Sequence, residues 1–60
     1  MHFTLGGETS RRAKQLAEEQ LGSGYKFHVT AMQWAGRHVH ATVTAYNEHE
    51  IKAVQVEWEQ

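Results

Sequence analysis

The sequence predicts one small α+β domain with the element order β-α-β-β-β, in which a single helix packs across one face of an antiparallel meander sheet. Two observations lead to this fold class. Apolar and small residues recur with helical spacing between residues 13 and 21, and apolar residues alternate with polar ones from residue 25 onward. A chain of 60 residues has room for one domain, which we assign to residues 1–60.

The composition narrows the function classes. The formal net charge is −1, whereas a protein that binds nucleic acid or a membrane surface is normally strongly basic. No apolar run approaches the roughly 20 residues that span a bilayer, and no secretory signal is recognised. The chain has no cysteine, which excludes disulfides and thiolate metal sites. We therefore expect a cytoplasmic protein that acts on neither membranes nor nucleic acid.

A short first strand is predicted at residues 2–5, where Phe3 and Leu5 fall on one face. The dipeptide Gly6-Gly7 ends it, because paired glycines interrupt a strand. Two positions in the sheet stay open for this strand, beside the second strand or beside the last.

A helix is predicted next. Thr9 or Ser10 is the expected N-cap, and Gly22 is the expected residue at the helix end. The stripe that faces the sheet comprises Ala13, Leu16, Ala17, Gln20 and Leu21.

Three strands follow, connected by a break at residues 35–37 and a polar turn at residues 47–50. Their register is predicted by requiring apolar residues to face one another, since a slip of one residue moves every side chain to the other face. The predicted pairs are Val29 with Val43, Ala31 with Ala41, Met32 with His40, Trp34 with His38, Val43 with Val54, Ala41 with Val56, and Val39 with Trp58. The inward alanines, Ala31, Ala41 and Ala45, predict a shallow trough for the helix.

This register places unusual side chains on the sheet face turned away from the helix. Met32 and Trp34 would project there near the first hairpin, and Tyr46 and Ile51 near the opposite end. Such residues on a solvated sheet face indicate either cross-strand packing or a contact surface. The predicted partner-binding residues are Met32, Trp34, Arg37, His38, His40, Tyr46 and Ile51.

Self-association is also predicted, because so short a chain buries a small core and leaves a strand edge unpaired. A homodimer that stacks the two outward faces is favoured, since it would bury Met32 and Trp34. A dimer that joins strand edges is the alternative.

A weak transition-metal site is an alternative function. His38 and His40 share one strand face, and Glu57 falls opposite His40 in the predicted register. Two imidazoles and a carboxylate form a ligand set that suits zinc. Exposed strand histidines explain the same residues without a metal, and no cofactor is expected.

The first hairpin carries one resemblance to a known family. Gln33-Trp34-Ala35-Gly36 at a hairpin tip, after a helix and a long strand, resembles the inhibitory hairpin of cystatins, which also wrap a sheet around one helix. The resemblance covers these four residues and the topology, and the sequence lacks the glycine-bearing N-terminal trunk and the second Pro-Trp loop of that family. It implies inhibition by a rigid hairpin tip with Trp34 as the anchor.

The sequence contains no nucleophile motif, cofactor-binding motif or paired buried carboxylates, so an enzyme is not expected. We expect a non-enzymatic module that acts by protein–protein contact, with inhibition as one form of that activity. A second alternative is a designed sequence without a natural function, because regular binary patterning without cysteine or proline is typical of designs.

Overall fold

The computed structural model describes residues 7–60 and shows one helix followed by three strands. Helix α1 spans Glu8–Leu21, and the strands are β1 (Lys26–Ala35), β2 (His38–Tyr46) and β3 (Ile51–Glu59). The strands form an antiparallel meander in the order β1-β2-β3, and α1 contacts all three. These findings confirm the α+β class and the antiparallel meander. The first strand predicted at residues 2–5 lies outside the described residues.

The helix begins earlier than predicted, with its N-cap two residues before Thr9. Gly7 is the N-cap, and no side chain donates or accepts a capping hydrogen bond there, so the prediction of Thr9 or Ser10 as the cap was wrong. Ser10 instead lies buried in the first turn. The C-terminal prediction is confirmed, because Gly22 has a positive φ of 86° and donates its N–H to the Glu18 carbonyl over 2.6 Å.

Small side chains fill the space between α1 and the sheet. Ala13 and Ala17 are fully buried on the helix, and β2 presents Ala41 and Ala45 on the core face. Within residues 7–60 the buried hydrophobic residues are all alanine or valine: Ala13, Ala17, Val29, Val39, Ala41, Val43, Ala45, Val54 and Val56. Larger side chains lie around this centre, partly buried: Leu16, Leu21, Phe27, Met32 and Trp58. Gln20, placed on the buried stripe by the sequence, is exposed.

The register of the second hairpin agrees with the prediction along its whole length. Val43 pairs with Val54, Ala41 with Val56, and Val39 with Trp58. The four-residue connection at residues 47–50 is held by Asn47, whose Oδ1 accepts hydrogen bonds from the backbone N–H groups of His49 (2.7 Å) and Glu50 (3.0 Å). This turn is the local structure that asparagine favours.

The register of the first hairpin agrees with the prediction up to Val29, which pairs with Val43, and then shifts. A β-bulge inserts Thr30, so that Ala31 pairs with Thr42 and Met32 with Ala41. The remaining pairs of β1 with β2 are Gln33 with His40, Trp34 with Val39, and Ala35 with His38. The predicted pairs Ala31 with Ala41, Met32 with His40, and Trp34 with His38 were therefore wrong.

The bulge exchanges the faces of the second half of β1. Met32 and Trp34 lie on the helix-bearing face of the sheet, and Ala31 lies exposed on the outer face. The physical reason is the apolar pattern of the strand, which changes from odd to even positions between Val29 and Met32. One extra residue lets both halves turn their apolar side chains toward the core.

Candidate interaction surface at the first hairpin

The β1–β2 connection is a two-residue loop of Gly36 and Arg37. Gly36 has a φ of +62°, which a type II′ hairpin turn requires at its first central position. The Arg37 carbonyl accepts a hydrogen bond from the backbone N–H of Gln60 over 2.7 Å. The loop is therefore attached to the chain that leaves β3 as well as to its own strands, which fixes the position of the hairpin tip.

Two tryptophans flank a buried valine at this end of the core face. Trp34 pairs with Val39 on β2, and Val39 pairs with Trp58 on β3, so the three side chains form a row across the sheet. Val39 is fully buried, and Trp58 is partly buried against the core. Trp34 is half exposed, at 50%. The row therefore ends at the β1 edge in the most exposed of its three side chains.

The predicted partner-binding residues do not form one surface. Met32 packs partly buried against the core. Trp34 and Arg37 lie at the hairpin tip, whereas Tyr46 and Ile51 pair with each other at the far end of the sheet. His38 and His40 are exposed on the outer face near the tip. The two ends lie roughly 25 Å apart, at about 3.3 Å per strand residue.

The outward-face dimer loses its basis in this arrangement. It rested on burial of Met32 and Trp34, and both side chains lie on the opposite face. Of the apolar residues assigned to the outer face, Tyr46 (39% exposed) and Ile51 (77% exposed) remain there.

The histidine set is distributed over two cross-strand pairs. His40 pairs with Glu57 as predicted, and His38 pairs with Glu59, with 3.7 Å between His38 Nε2 and Glu59 Oε2. Within residues 7–60, no three histidine or carboxylate side chains are arranged to hold a metal ion. His38, His40 and Glu57 are thus not brought together as a ligand set.

A polar cluster at the far end of the sheet was not foreseen from the sequence. The Tyr25 hydroxyl donates a hydrogen bond to Glu50, and Lys52 Nζ lies 3.8 Å from the same carboxylate. The hydrogen bond to Glu50 raises the pKa of Tyr25, with smaller contributions from desolvation and from the negative charge of Glu50. Asn47 Nδ2 also donates to the Gly24 carbonyl over 3.4 Å. These contacts attach the start of β1 to the β2–β3 turn.

An open depression of about 480 Å³ lies next to this cluster. It is lined by Gly24, Tyr25, Lys26, Tyr46, Asn47 and Glu48. The lining contains both a cationic and an anionic side chain, so its charge selects no class of ligand. The far end is therefore a structural junction, and the hairpin tip is the candidate surface.

Comparisons with protein-family models, with curated proteins and with solved structures find no match. In the part of the chain that the structure covers, no helix is long and apolar enough to cross a membrane.

Proposed function

We propose that the chain is a non-enzymatic protein-binding module whose contact surface is the tip of the first hairpin. The observation that carries this proposal is the half-exposed Trp34, at the end of a row in which Val39 is fully buried. Tryptophan is the residue most enriched among the side chains that dominate binding energy at protein interfaces. A partner would contact the helix-bearing face at this end, not the outer face of the sheet.

The surroundings of Trp34 suit this role. Arg37 is exposed in the adjoining loop, and arginine is also enriched at interface centres. The loop is held by the Gly36 turn and by the hydrogen bond from Gln60 to Arg37, so little conformational entropy would be lost on binding. A rigid aromatic anchor on a fixed hairpin favours recognition over catalysis.

The proposal predicts that replacing Trp34 removes partner binding without unfolding the chain. The full chain is immobilised as wild type, as Trp34→Ser and as Ile51→Ser, and proteins captured from extract of the source cells are quantified by mass spectrometry. Ile51 is a matched control, because it is more exposed than Trp34 and lies at the far end on the other face. Circular dichroism verifies that each variant is folded.

A supporting result is a protein retained by wild type and by Ile51→Ser but depleted by Trp34→Ser. Its purified form should bind the Trp34→Ser variant about 30-fold more weakly, which corresponds to an interface residue worth about 2 kcal/mol. Equal retention by all three baits, or loss with Ile51→Ser alone, would contradict the proposal.

The inhibitory form of the proposal has a direct test. The resemblance of residues 33–36 to the cystatin hairpin suggests a papain-like cysteine protease as the first target. Wild type should then slow peptide hydrolysis in proportion to its concentration, and Trp34→Ser should not. Absence of inhibition would restrict the proposal to non-inhibitory binding.

A further inference from the structure

We propose that two copies of this chain join through the outer edges of β3 to form one continuous antiparallel sheet. The inference goes beyond the proposed function and does not depend on it, since β3 forms the edge of the sheet opposite to β1, the strand that carries Trp34. It follows from a difference between the two edge strands of the described sheet, β1 and β3.

The edge of β1 is interrupted by the bulge. The even-numbered residues of β2 form the backbone hydrogen bonds to β1, because its odd-numbered residues bond toward β3. Before the bulge their partners on β1 are Lys26 and His28, so Phe27 and Val29 direct their backbone N–H and C=O groups away from the sheet. After the bulge, the residues whose backbone N–H and C=O groups point to the free edge are Met32 and Trp34. The spacing of three between Val29 and Met32 prevents a regular strand from pairing with both halves, and bulges protect edge strands in this way.

The edge of β3 has no such interruption. Two backbone hydrogen bonds at its ends, from Gln60 N to Arg37 O (2.7 Å) and from Asn47 N to Glu50 O (3.0 Å), show that even-numbered residues of this chain segment bond to β2. The outward N–H and C=O groups therefore belong to the odd-numbered residues. Within residues 7–60 no other strand pairs with this edge. The residues whose backbone N–H and C=O groups point to it are Ile51, Ala53, Gln55, Glu57 and Glu59.

The sequence of β3 is self-complementary in an antiparallel pair. Full overlap of two copies places the two-fold axis at Gln55, in the middle of Ile51–Glu59. The outward groups of one copy then meet the outward groups of the other, with Gln55 facing Gln55 of the second copy. On the core face Val54 meets Val56, which continues the apolar surface of the core from one copy to the next.

The charges of β3 favour the antiparallel arrangement. The basic residue Lys52 lies near the start of the strand, and Glu57 and Glu59 lie near its end. Antiparallel pairing sets Glu57 opposite Ala53 of the second copy, so no two carboxylates face each other. Parallel pairing would set Glu57 beside Glu57, and like charges directly opposite are destabilising. This complementarity of the strand with itself identifies a second copy as the occupant.

The pair of Ala53 with Glu57 provides the test. Ala53 is exposed on the outer face, so Ala53→Glu should leave the fold intact and place a carboxylate opposite Glu57 of the second copy. Within one chain the two positions lie about 13 Å apart along the strand and do not contact each other. The double variant Ala53→Glu/Glu57→Lys should restore association, because each introduced charge then meets its opposite across the axis.

Sedimentation equilibrium of the full chain measures the dimer dissociation constant of each variant. Because the pair occurs twice in the dimer, Ala53→Glu should weaken association on the order of tenfold, and the double variant should reverse the loss. Ala35→Glu is the matched control, since it adds the same charge to an exposed alanine on the outer face of β1 and should change nothing.

Amide hydrogen exchange separates the possible occupants of the edge. The N–H groups of Ala53, Gln55 and Glu57 should become protected as protein concentration rises. Protection that is the same at every concentration would mean that residues 1–6 of the same chain cover the edge, and it would overturn the proposal. A wild type that remains monomeric at high concentration, or a dimer that Ala53→Glu does not weaken, would also overturn it.

Discussion

Tyr25 links two segments that are distant in sequence, because its hydroxyl donates a hydrogen bond to the carboxylate of Glu50. Ionisation of the phenol would remove this hydrogen bond and place a second negative charge beside Glu50, and for that reason the pKa of Tyr25 is raised above 10.0. The unfolded chain therefore releases this proton at a lower pH than the folded chain does. The stabilising contribution is complete below the unfolded pKa and is lost as the pH rises through the higher folded value.

We expect wild type and Tyr25→Phe to differ in stability at neutral pH and to converge in alkali. Tyr25→Phe lacks the hydrogen bond to Glu50, so it should be less stable below a pH of about 10 and lose less stability above it. Chemical denaturation at a series of pH values measures both curves. All other ionisable groups are common to the two proteins, so the difference isolates Tyr25. Parallel curves across the alkaline range would show that this hydrogen bond does not contribute.

Strand β1 illustrates what the sequence could and could not predict. The helix, the three strands, both turns and the whole register of β3 followed from apolar periodicity, because Val54, Val56 and Trp58 keep one phase along the strand. In β1 the apolar positions change phase after Val29, and strict alternation assigned Met32 to the wrong face. The phase change itself was visible in the sequence, and a bulge is the local structure that accommodates it.

The candidate surface was predictable in part for the same reason. The sequence placed Trp34 at a hairpin tip, and the tip is where the structure has it. The sheet face on which Trp34 lies depended on the bulge. The neighbours of Trp34 depended on the pairing of all three strands. The row of Trp34, Val39 and Trp58 needed both registers to be correct, and the sequence pattern predicted only the register of β2 with β3.

Deleting Thr30 should convert β1 into a regular strand. The shortened strand would keep Val29, Met32 and Trp34 on the core face, because removal of the extra residue restores uninterrupted alternation. The outer edge of β1 would then be continuous and able to pair. We expect a folded protein that forms larger assemblies than wild type does, with two pairing edges in each copy.

Nuclear Overhauser effects between Met32 and Ala41 would verify that the register is retained, and sedimentation velocity would measure the assemblies. A deletion variant that is folded but no larger than wild type would show that the bulge is not what protects this edge. A variant in which Trp34 moves to the outer face would show that Thr30 is not the inserted residue.

The molecule as a whole is built around a close contact between one helix and one sheet. Its buried hydrophobic residues in the described chain are alanines and valines, and its aromatic residues lie at the margins of the core. Small side chains let α1 approach the sheet, and among residues 7–60 two valines, Val39 and Val43, are the largest fully buried side chains. A core of this kind has little free volume, so it should tolerate enlargement worse than a core of large side chains would.

Two alanine-to-valine substitutions test this packing together with the bulge. Ala41 is 1% exposed on the core face of β2, whereas Ala31 is exposed on the outer face of β1. Ala41→Val should force the helix and sheet apart and destabilise the protein by about 1–3 kcal/mol. Ala31→Val should be neutral or slightly stabilising, since a β-branched residue suits an exposed strand position.

Urea denaturation measures the free energy of unfolding of both variants, and the pair discriminates between the two possible registers of the first hairpin. Without the bulge, Ala31 would pair with Ala41 on the core face of the sheet. Both substitutions would then overpack the same space under α1. A large loss of stability in Ala31→Val would therefore contradict the observed register. A loss confined to Ala41→Val would support the observed register, in which Ala41 is buried on the core face of β2 and Ala31 is exposed on the outer face of β1.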